Sequence, residues 1–267
     1  MSPLVQAVAG IRVVDLAQPM QTGMPQSPNH PPFRMVLERR HGDMYRDDGS
    51  SAANERIITG GHVGTHDDAL AHVSGGGHVH GGAVAASLQS HRGFARLGID
   101  DFPPFVGRAV LLDVTAVHGV DVLPAGYEVS VADLERALAA TGTDLRPGDA
   151  VLIGTGWSRR WGEHAAFVGA EQGVPGPGAA AGRWLAEHRP AVVGGESIAF
   201  EHLPAGRGHA LLPVHGIMLV EEGINIVETM RLFPLLDAAV TEFVLVLNPL
   251  PIVGATGSPV RPLALLS

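Results

Sequence analysis

The sequence contains no cysteine. Disulfides, thiolate metal sites and a cysteine nucleophile are excluded together, so any metal has to rest on imidazole and carboxylate. Cations are scarce as well: 18 basic residues face 27 acidic ones, a formal charge of −9. No basic patch is visible, which argues against nucleic acid and anionic membranes as partners. Aromatic residues make up only 5% of the chain, leaving the core to Val, Leu, Ile and Ala. Long apolar runs are missing. The longest near the end, residues 243–250, is interrupted by Asn248 and falls far short of the roughly 20 residues that cross a bilayer. The opening residues lack a basic stretch followed by a long apolar one, so they do not read as a secretory signal, and the expected location is cytoplasmic. The Gly-x-Ser-x-Gly elbow of serine hydrolases does not occur.

What is present suits a folded enzyme-sized body. A chain of 267 residues, 45% of them hydrophobic, is long enough to bury about three quarters of its unfolded surface. There is no internal repeat and no linker-like shift in composition, so a single domain over residues 1–267 is expected. Its 35 glycines and 20 prolines lie between short apolar runs, a pattern of short strands and shaped loops. Runs readable as strands are residues 11–16, 55–59, 109–114, 150–153, 191–193, 224–227 and 242–247. Most are apolar on both faces, as in strands buried inside a layered structure. Ser130-Val-Ala-Asp133 resembles a capping box ahead of Leu134, Ala137 and Leu138 at helical spacing. Further helices are expected over 177–188 and over 211–222, the latter stopped by Gly223. Strands and helices alternate around long irregular segments at 18–33 and 72–83, which makes the class α/β.

The chemistry concentrates in Gly60-Gly61-His62-Val63-Gly64-Thr65-His66-Asp67-Asp68-Ala69-Leu70-Ala71-His72. Three histidines and two aspartates fall within these residues, with glycine before and inside the cluster. On a helix His62 and His66 would share a face, as in HExxH zinc proteases. Gly64 and Thr65 are poor helix-interior residues, however, and no Glu follows the first His. A turn after the strand at 55–59 fits better, with His66 and Asp68 projecting to one side of an extended chain. Two imidazoles and a carboxylate make an open three-ligand set with room for water and substrate. A solvated His/Asp-rich loop is the bland alternative, but clustered ionisable groups need a compensating partner.

The string His62-x-Gly64-Thr65-His66-x-Asp68-x-x-x-His72 resembles the signature of the metal-dependent cyclase family, which includes bacterial kynurenine formamidase, isatin hydrolase and polyketide cyclases. Val14-Asp15-Leu16 through Met24-Pro25 and Pro31-Pro32-Phe33 resembles the family's opening strand and proline-rich loop. Further likenesses lie at 150–157, at Val214-His215 with 223–228, and at 254–261. The resemblance implies a swivelling, layered β/β/α fold around a mixed central sheet. It implies that His62, His66 and Asp68 bind a first Zn2+ or Mn2+, that Asp68 bridges to a second ion completed by His215 and Glu228, and that His72 is the acid/base residue. The implied activity is hydrolysis of a small amide by metal-activated water. A cyclase or dehydratase acting on a polyketide-like intermediate, or a metal-binding protein without turnover, are the alternatives. A homodimer or homotetramer is implied as well, loops of one subunit closing the other's pocket. The family usually has an apolar residue where Asp67 stands; it either perturbs the site or points away.

Other residues are weaker candidates. His78 and His80, flanked by glycines, are expected in a lid if they touch the site. Glu201, His202 and His209 belong either to the pocket or to a surface loop. Gly154-Thr155-Gly156 hints at a nucleotide turn but lacks the third glycine, Arg159 standing there. Arg261 either binds an acidic substrate group or shapes the C-terminal turn.

Overall fold

The computed structural model describes residues 2–7 and 9–266. Nine strands form one sheet: β1 (Arg12–Asp15), β2 (His66–Asp68), β3 (Phe105–Asp113), β4 (Ala150–Gly154), β5 (Val192–Gly195), β6 (Asn225–Glu228), β7 (Glu242–Leu247), β8 (Gly257–Pro259) and β9 (Leu263–Leu266). Their spatial order is β1-β9-β7-β3-β4-β5-β6-β2-β8. Pairing is parallel from β3 through β6 and antiparallel everywhere else, which makes the sheet mixed. Parallel neighbours need crossovers that cover a face, and the crossovers here carry the helices α1 (Val131–Thr141) and α2 (Ala179–Glu187) and the coil Pro213–His215. That coil continues as wider π turns over Gly216–Glu222.

Alternation along the central strands divides the core. Val110, Leu112, Val151, Ile153, Val193 and Ile226 face the helices, against Leu134, Leu185 and Val214. Ala109, Leu111, Ala150, Leu152 and Val227 face the other way, against Leu16, Leu245, Leu247 and Ala264 of the antiparallel strands as the sheet curls over. The mixed α/β class and the layered arrangement therefore follow the expectation. So does the helix start at 130: Ser130 accepts from the Asp133 N–H, Asp133 accepts from the Ser130 N–H, and Gly142 closes α1 in the left-handed region. Gly223 ends the helix expected over 211–222 in the same way, at φ +71°.

One expectation needs correction, the placing of the strand at 55–59. The run at 55–59 lies outside the core, because Asn54–Ile58 pairs with Arg34–Arg39 in a hairpin whose residues, Arg39 apart, are all exposed. The turn expected after it is found as bends over 61–65, and the extended chain expected at His66 and Asp68 is β2, a fully buried strand held between β6 and β8. Among the described residues no helix is long and apolar enough to cross a membrane.

Candidate metal centre

Because β2 is extended, His66 and Asp68 project to one side and Asp67 to the other. The register with β6 sets Glu228 opposite His66 and Ile226 opposite Asp68, on the helix-facing side. His66 Nε2 lies 3.4 Å from Asp68 Oδ1 and 3.3 Å from Glu228 Oε2. His215, at the end of Pro213–His215, reaches the same carboxylates from the helix layer, with Nε2 3.4 Å from Asp68 Oδ2 and 3.2 Å from Glu228 Oε1. His62 Nδ1 is 2.6 Å from Asp68 Oδ1, so an ion taking both would replace that hydrogen bond. The five residues expected as ligands thus converge. Asp67 does not join them: it is fully buried on the opposite face, where Asn225 Nδ2 donates to it at 3.1 Å, and burial pushes its carboxyl well up.

The glycine and threonine of the motif have local reasons. Gly64 sits at φ +71°, and its carbonyl accepts from His66 Nδ1 at 2.8 Å, leaving Nε2 to face the carboxylates. Thr65 accepts the Gln18 N–H at 2.9 Å and donates to the Thr229 carbonyl at 2.7 Å, tying the proline-rich loop to the end of β6. Thr229 itself holds φ +57°, unusual for a β-branched residue and worth about 1–3 kcal/mol of strain. His62 Nε2 lies 2.9 Å from Thr256 Oγ1, and His215 Nδ1 donates to Glu201 Oε1 at 2.7 Å. In all three imidazoles one nitrogen is anchored and the other turned to Asp68 or Glu228. Metal-binding histidines are held in this way.

The donor set fits a divalent cation. Asp68 Oδ2 and Glu228 Oε1 are buried without a hydrogen-bond partner, a costly state for carboxylates unless a positive charge compensates. The 3.2–3.4 Å separations are long for good hydrogen bonds. They match the edge of about 3.3 Å that four ligands make at bond lengths of about 2.0–2.1 Å. Electrostatics points the same way. Burial opposes a charge on His66, yet Glu228 and Asp68 more than offset it and raise its pKa to about 9; His215 is likewise raised. Asp68 and Glu228 are held low despite burial, chiefly by the surrounding imidazoles. The cluster is built for positive charge.

His72 stands apart from the anchored histidines. Its ring stacks on His62 with centroids 3.8 Å apart, and a donor atom lies within 4.8 Å of those of His62 and Asp68. Among the described residues its side chain makes no hydrogen bond, and burial lowers its pKa to about 3. Sequence reasoning missed His30, whose ring sits 5.1 Å from His62 and 6.2 Å from His72. It lines, with Gln26, Ser27, His62, His66 and Glu228, a cavity of about 10 Å3, room for about one water molecule. Nothing in the spacing of the motif reaches back to residue 30.

Several candidates are not brought in. His78 is exposed and bonds Gly76, while His80 packs on Gly223 and bonds the Val220 carbonyl at 3.0 Å. His202 approaches Glu128 at 3.8 Å, His209 lines a separate cavity, and Arg261 pairs with Asp15 at 2.7 Å. The Gly154-Thr155-Gly156 turn wraps a carboxylate of the chain itself: the N–H groups of Thr155 and Gly156 each donate to Glu196 at 2.6 Å.

Comparison with known proteins bears on this arrangement. Residues 14–202 match the Cyclase family model. Isatin hydrolase of Roseibium aggregatum is 27% identical over 226 residues, covering 83% of this chain and 78% of that protein. The crystal structure of a novel cyclase superposes with a TM-score of 0.85 at 32% identity, over 100% of this chain and 94% of the other. Isatin hydrolase A from Ralstonia solanacearum superposes with a TM-score of 0.75 at 26% identity, over 100% and 98%.

Proposed function

The chain belongs to the Cyclase family, and we propose that within it the chain is a metal-dependent hydrolase of a small amide, cleaving the C–N bond of an aryl formamide or of a cyclic amide or imide. One observation carries the reading: a buried imidazole–carboxylate donor set is faced by an imidazole, His72, whose nitrogens are uncommitted. His62, His66 and Asp68 would hold a first cation, and Asp68, His215 and Glu228 a second, Zn2+ or Mn2+ suiting these donors. Such a cation, when bound, polarises a carbonyl oxygen and brings the pKa of a coordinated water toward about 7.

The remaining work falls to the chain. His72 stacks on His62 and has a donor atom within 4.8 Å of those of His62 and Asp68, which places it to take a proton from the attacking water. The same ring then hands that proton to the leaving nitrogen as the C–N bond breaks. Gln26, Ser27 and His30 line the cavity beside His62, His66 and Glu228. The isatin hydrolase relatives support a cyclic amide as substrate.

Incubating the metal-loaded protein with isatin, formyl-kynurenine and simple cyclic imides tests the reading. Hydrolysis of at least one is expected, lost on chelation and restored by Zn2+ or Mn2+. A fully loaded protein that turns over none of them refutes it and favours the alternative, a cyclase or dehydratase acting on a polyketide-like intermediate.

The protein is further read as a homodimer or a tetramer of dimers. An isolated two-stranded hairpin is marginal in water. The hairpin at 34–58 nevertheless exposes Met35, Leu37 and Ile57, each close to half accessible or more, and the register sets Met35 opposite Ile57 with Leu37 beside them on one face. A second copy covering that face explains it.

A further inference from the structure

Glu201 is the residue that the ligand set leaves unused. Its side chain is 1% exposed and accepts three hydrogen bonds: from the Val214 N–H at 3.0 Å, the His215 N–H at 2.9 Å and His215 Nδ1 at 2.7 Å. We propose that Glu201 is a positioning residue for the second cation, fixing the tautomer and aim of His215 and so setting how tightly Asp68, His215 and Glu228 hold that ion. The inference rests on the reading of His215 as a ligand.

The three anchors differ in kind. His66 leans on the Gly64 carbonyl and His62 on the Thr256 hydroxyl, both neutral; His215 alone leans on a carboxylate. A carboxylate on Nδ1–H makes the other nitrogen a better donor and holds the ring plane. That other nitrogen, Nε2, faces Asp68 Oδ2 and Glu228 Oε1, the two site oxygens left without partners. The backbone gives an independent sign. The chain enters Glu201 through Phe200, a buried bulky residue at φ +53°, a conformation that persists only where the surroundings dictate it.

A purely structural reading is available, since two of the three bonds satisfy N–H groups at the start of a short helical turn. Glu201→Gln separates the two roles. Glutamine keeps the volume and can still accept a backbone N–H. With its oxygen in the Oε1 place it still accepts from His215 N–H and Nδ1–H, but the negative charge that strengthens Nε2 as a ligand is gone, and the amide nitrogen in the Oε2 place cannot accept from Val214 N–H.

The experiment titrates Zn2+ into chelator-stripped protein by calorimetry, with elemental analysis of ions per chain, for the wild type, Glu201→Gln, Glu201→Asp and His215→Ala. Two binding steps are expected in the wild type, the weaker absent in His215→Ala. Glu201→Gln should keep the first step, weaken the second about 10- to 100-fold, and unfold without metal near the wild-type temperature. Glu201→Asp, which keeps a carboxylate, should fall between them, and it decides the matter should Glu201→Gln fail to fold. A second step of wild-type affinity in Glu201→Gln, while His215→Ala has lost it, overturns the inference and leaves His215 a ligand. Zinc binding by the wild type that survives His215→Ala unchanged overturns both.

Discussion

Asp68 and His72 lie four positions apart and should fail in different ways. Asp68 is the hub of the cluster, 2.6 Å from His62 and 3.4 Å from both His66 and His215. In Asp68→Asn the shape is kept and the charge removed. Two unit charges about 4 Å apart interact by about 4 kcal/mol at an effective dielectric constant of about 20, and a divalent ion at contact distance loses at least twice that. A loss of about 8 kcal/mol is more than 10⁵-fold in affinity, which empties any site this carboxylate shares at micromolar metal. The readout needs no substrate. A cation present at about 100 times its dissociation constant stabilises the folded state by about 2.7 kcal/mol. At this chain length each kcal/mol moves the unfolding midpoint by roughly 2–4 °C. The wild type should therefore gain roughly 5–11 °C between chelator and saturating metal, and Asp68→Asn should gain nothing.

His72→Ala leaves the anchored donors intact. It should keep the metal-dependent gain and the wild-type metal content, while kcat falls about 10²–10⁴-fold, with KM little changed, because the proton moves only in the transition state. The two variants are compared by differential scanning calorimetry with and without chelator, elemental analysis and steady-state kinetics. A His72→Ala protein of normal turnover would falsify its role in proton transfer. An Asp68→Asn protein that still gains its full stabilisation from metal would remove the premise of a bridging carboxylate.

Three more outcomes are expected. Thr65→Val strips the Thr229 carbonyl and the Gln18 N–H of their partner; at about 1–3 kcal/mol for each unpaired buried group, urea unfolding should report a loss of about 2–6 kcal/mol, and a neutral result would mean that the loop does not depend on this hydroxyl. His30→Ala should leave metal content at the wild-type level and raise KM for whichever amide is turned over, so a loss of metal instead would make His30 a ligand. Light scattering should give a multiple of 27.8 kDa for the wild type and a mass close to 27.8 kDa for the double variant Met35→Glu, Ile57→Glu; a wild-type protein of that single-chain mass at all concentrations rules out the covered hairpin.

The sequence makes legible those parts of the fold that depend on local pattern. The central strands read as apolar runs because both of their faces are covered, and α1 reads from its capping box because Ser130 and Asp133 satisfy each other's backbone. The run at 55–59 misleads for the same reason: it looks like core, but the strand it forms, Asn54–Ile58, is exposed among the described residues. The extended chain at His66 and Asp68 could be read from their spacing, but its place inside the sheet could not, because His-Asp-Asp has neither strand propensity nor an apolar face and is held by pairing with β6 and β8. The motif residues could be read because their spacing is local. Glu201 and His30 could not be assigned from it, since their places are set by contacts across long stretches of chain.

Topology explains why the cluster forms where it does. In open α/β sheets functional groups gather beyond the carboxyl ends of parallel strands. Here β4 runs into the turn around Glu196, β5 runs into the segment carrying Glu196 and Glu201, and β6 ends on Glu228. Parallel strands alone would gather carboxylates at that edge and no counter-charge. An antiparallel neighbour begins where its partner ends, so β2 brings His66 beside Glu228 and the preceding loop brings His62 to the same edge. The coil leading into β6 adds His215 from the helix layer. The reversal of one strand at the margin of the parallel set is therefore what turns an acidic edge into a mixed imidazole–carboxylate cage. A single-residue slip of β2 against β6 would turn Asp67 into the cage and His66 and Asp68 out of it.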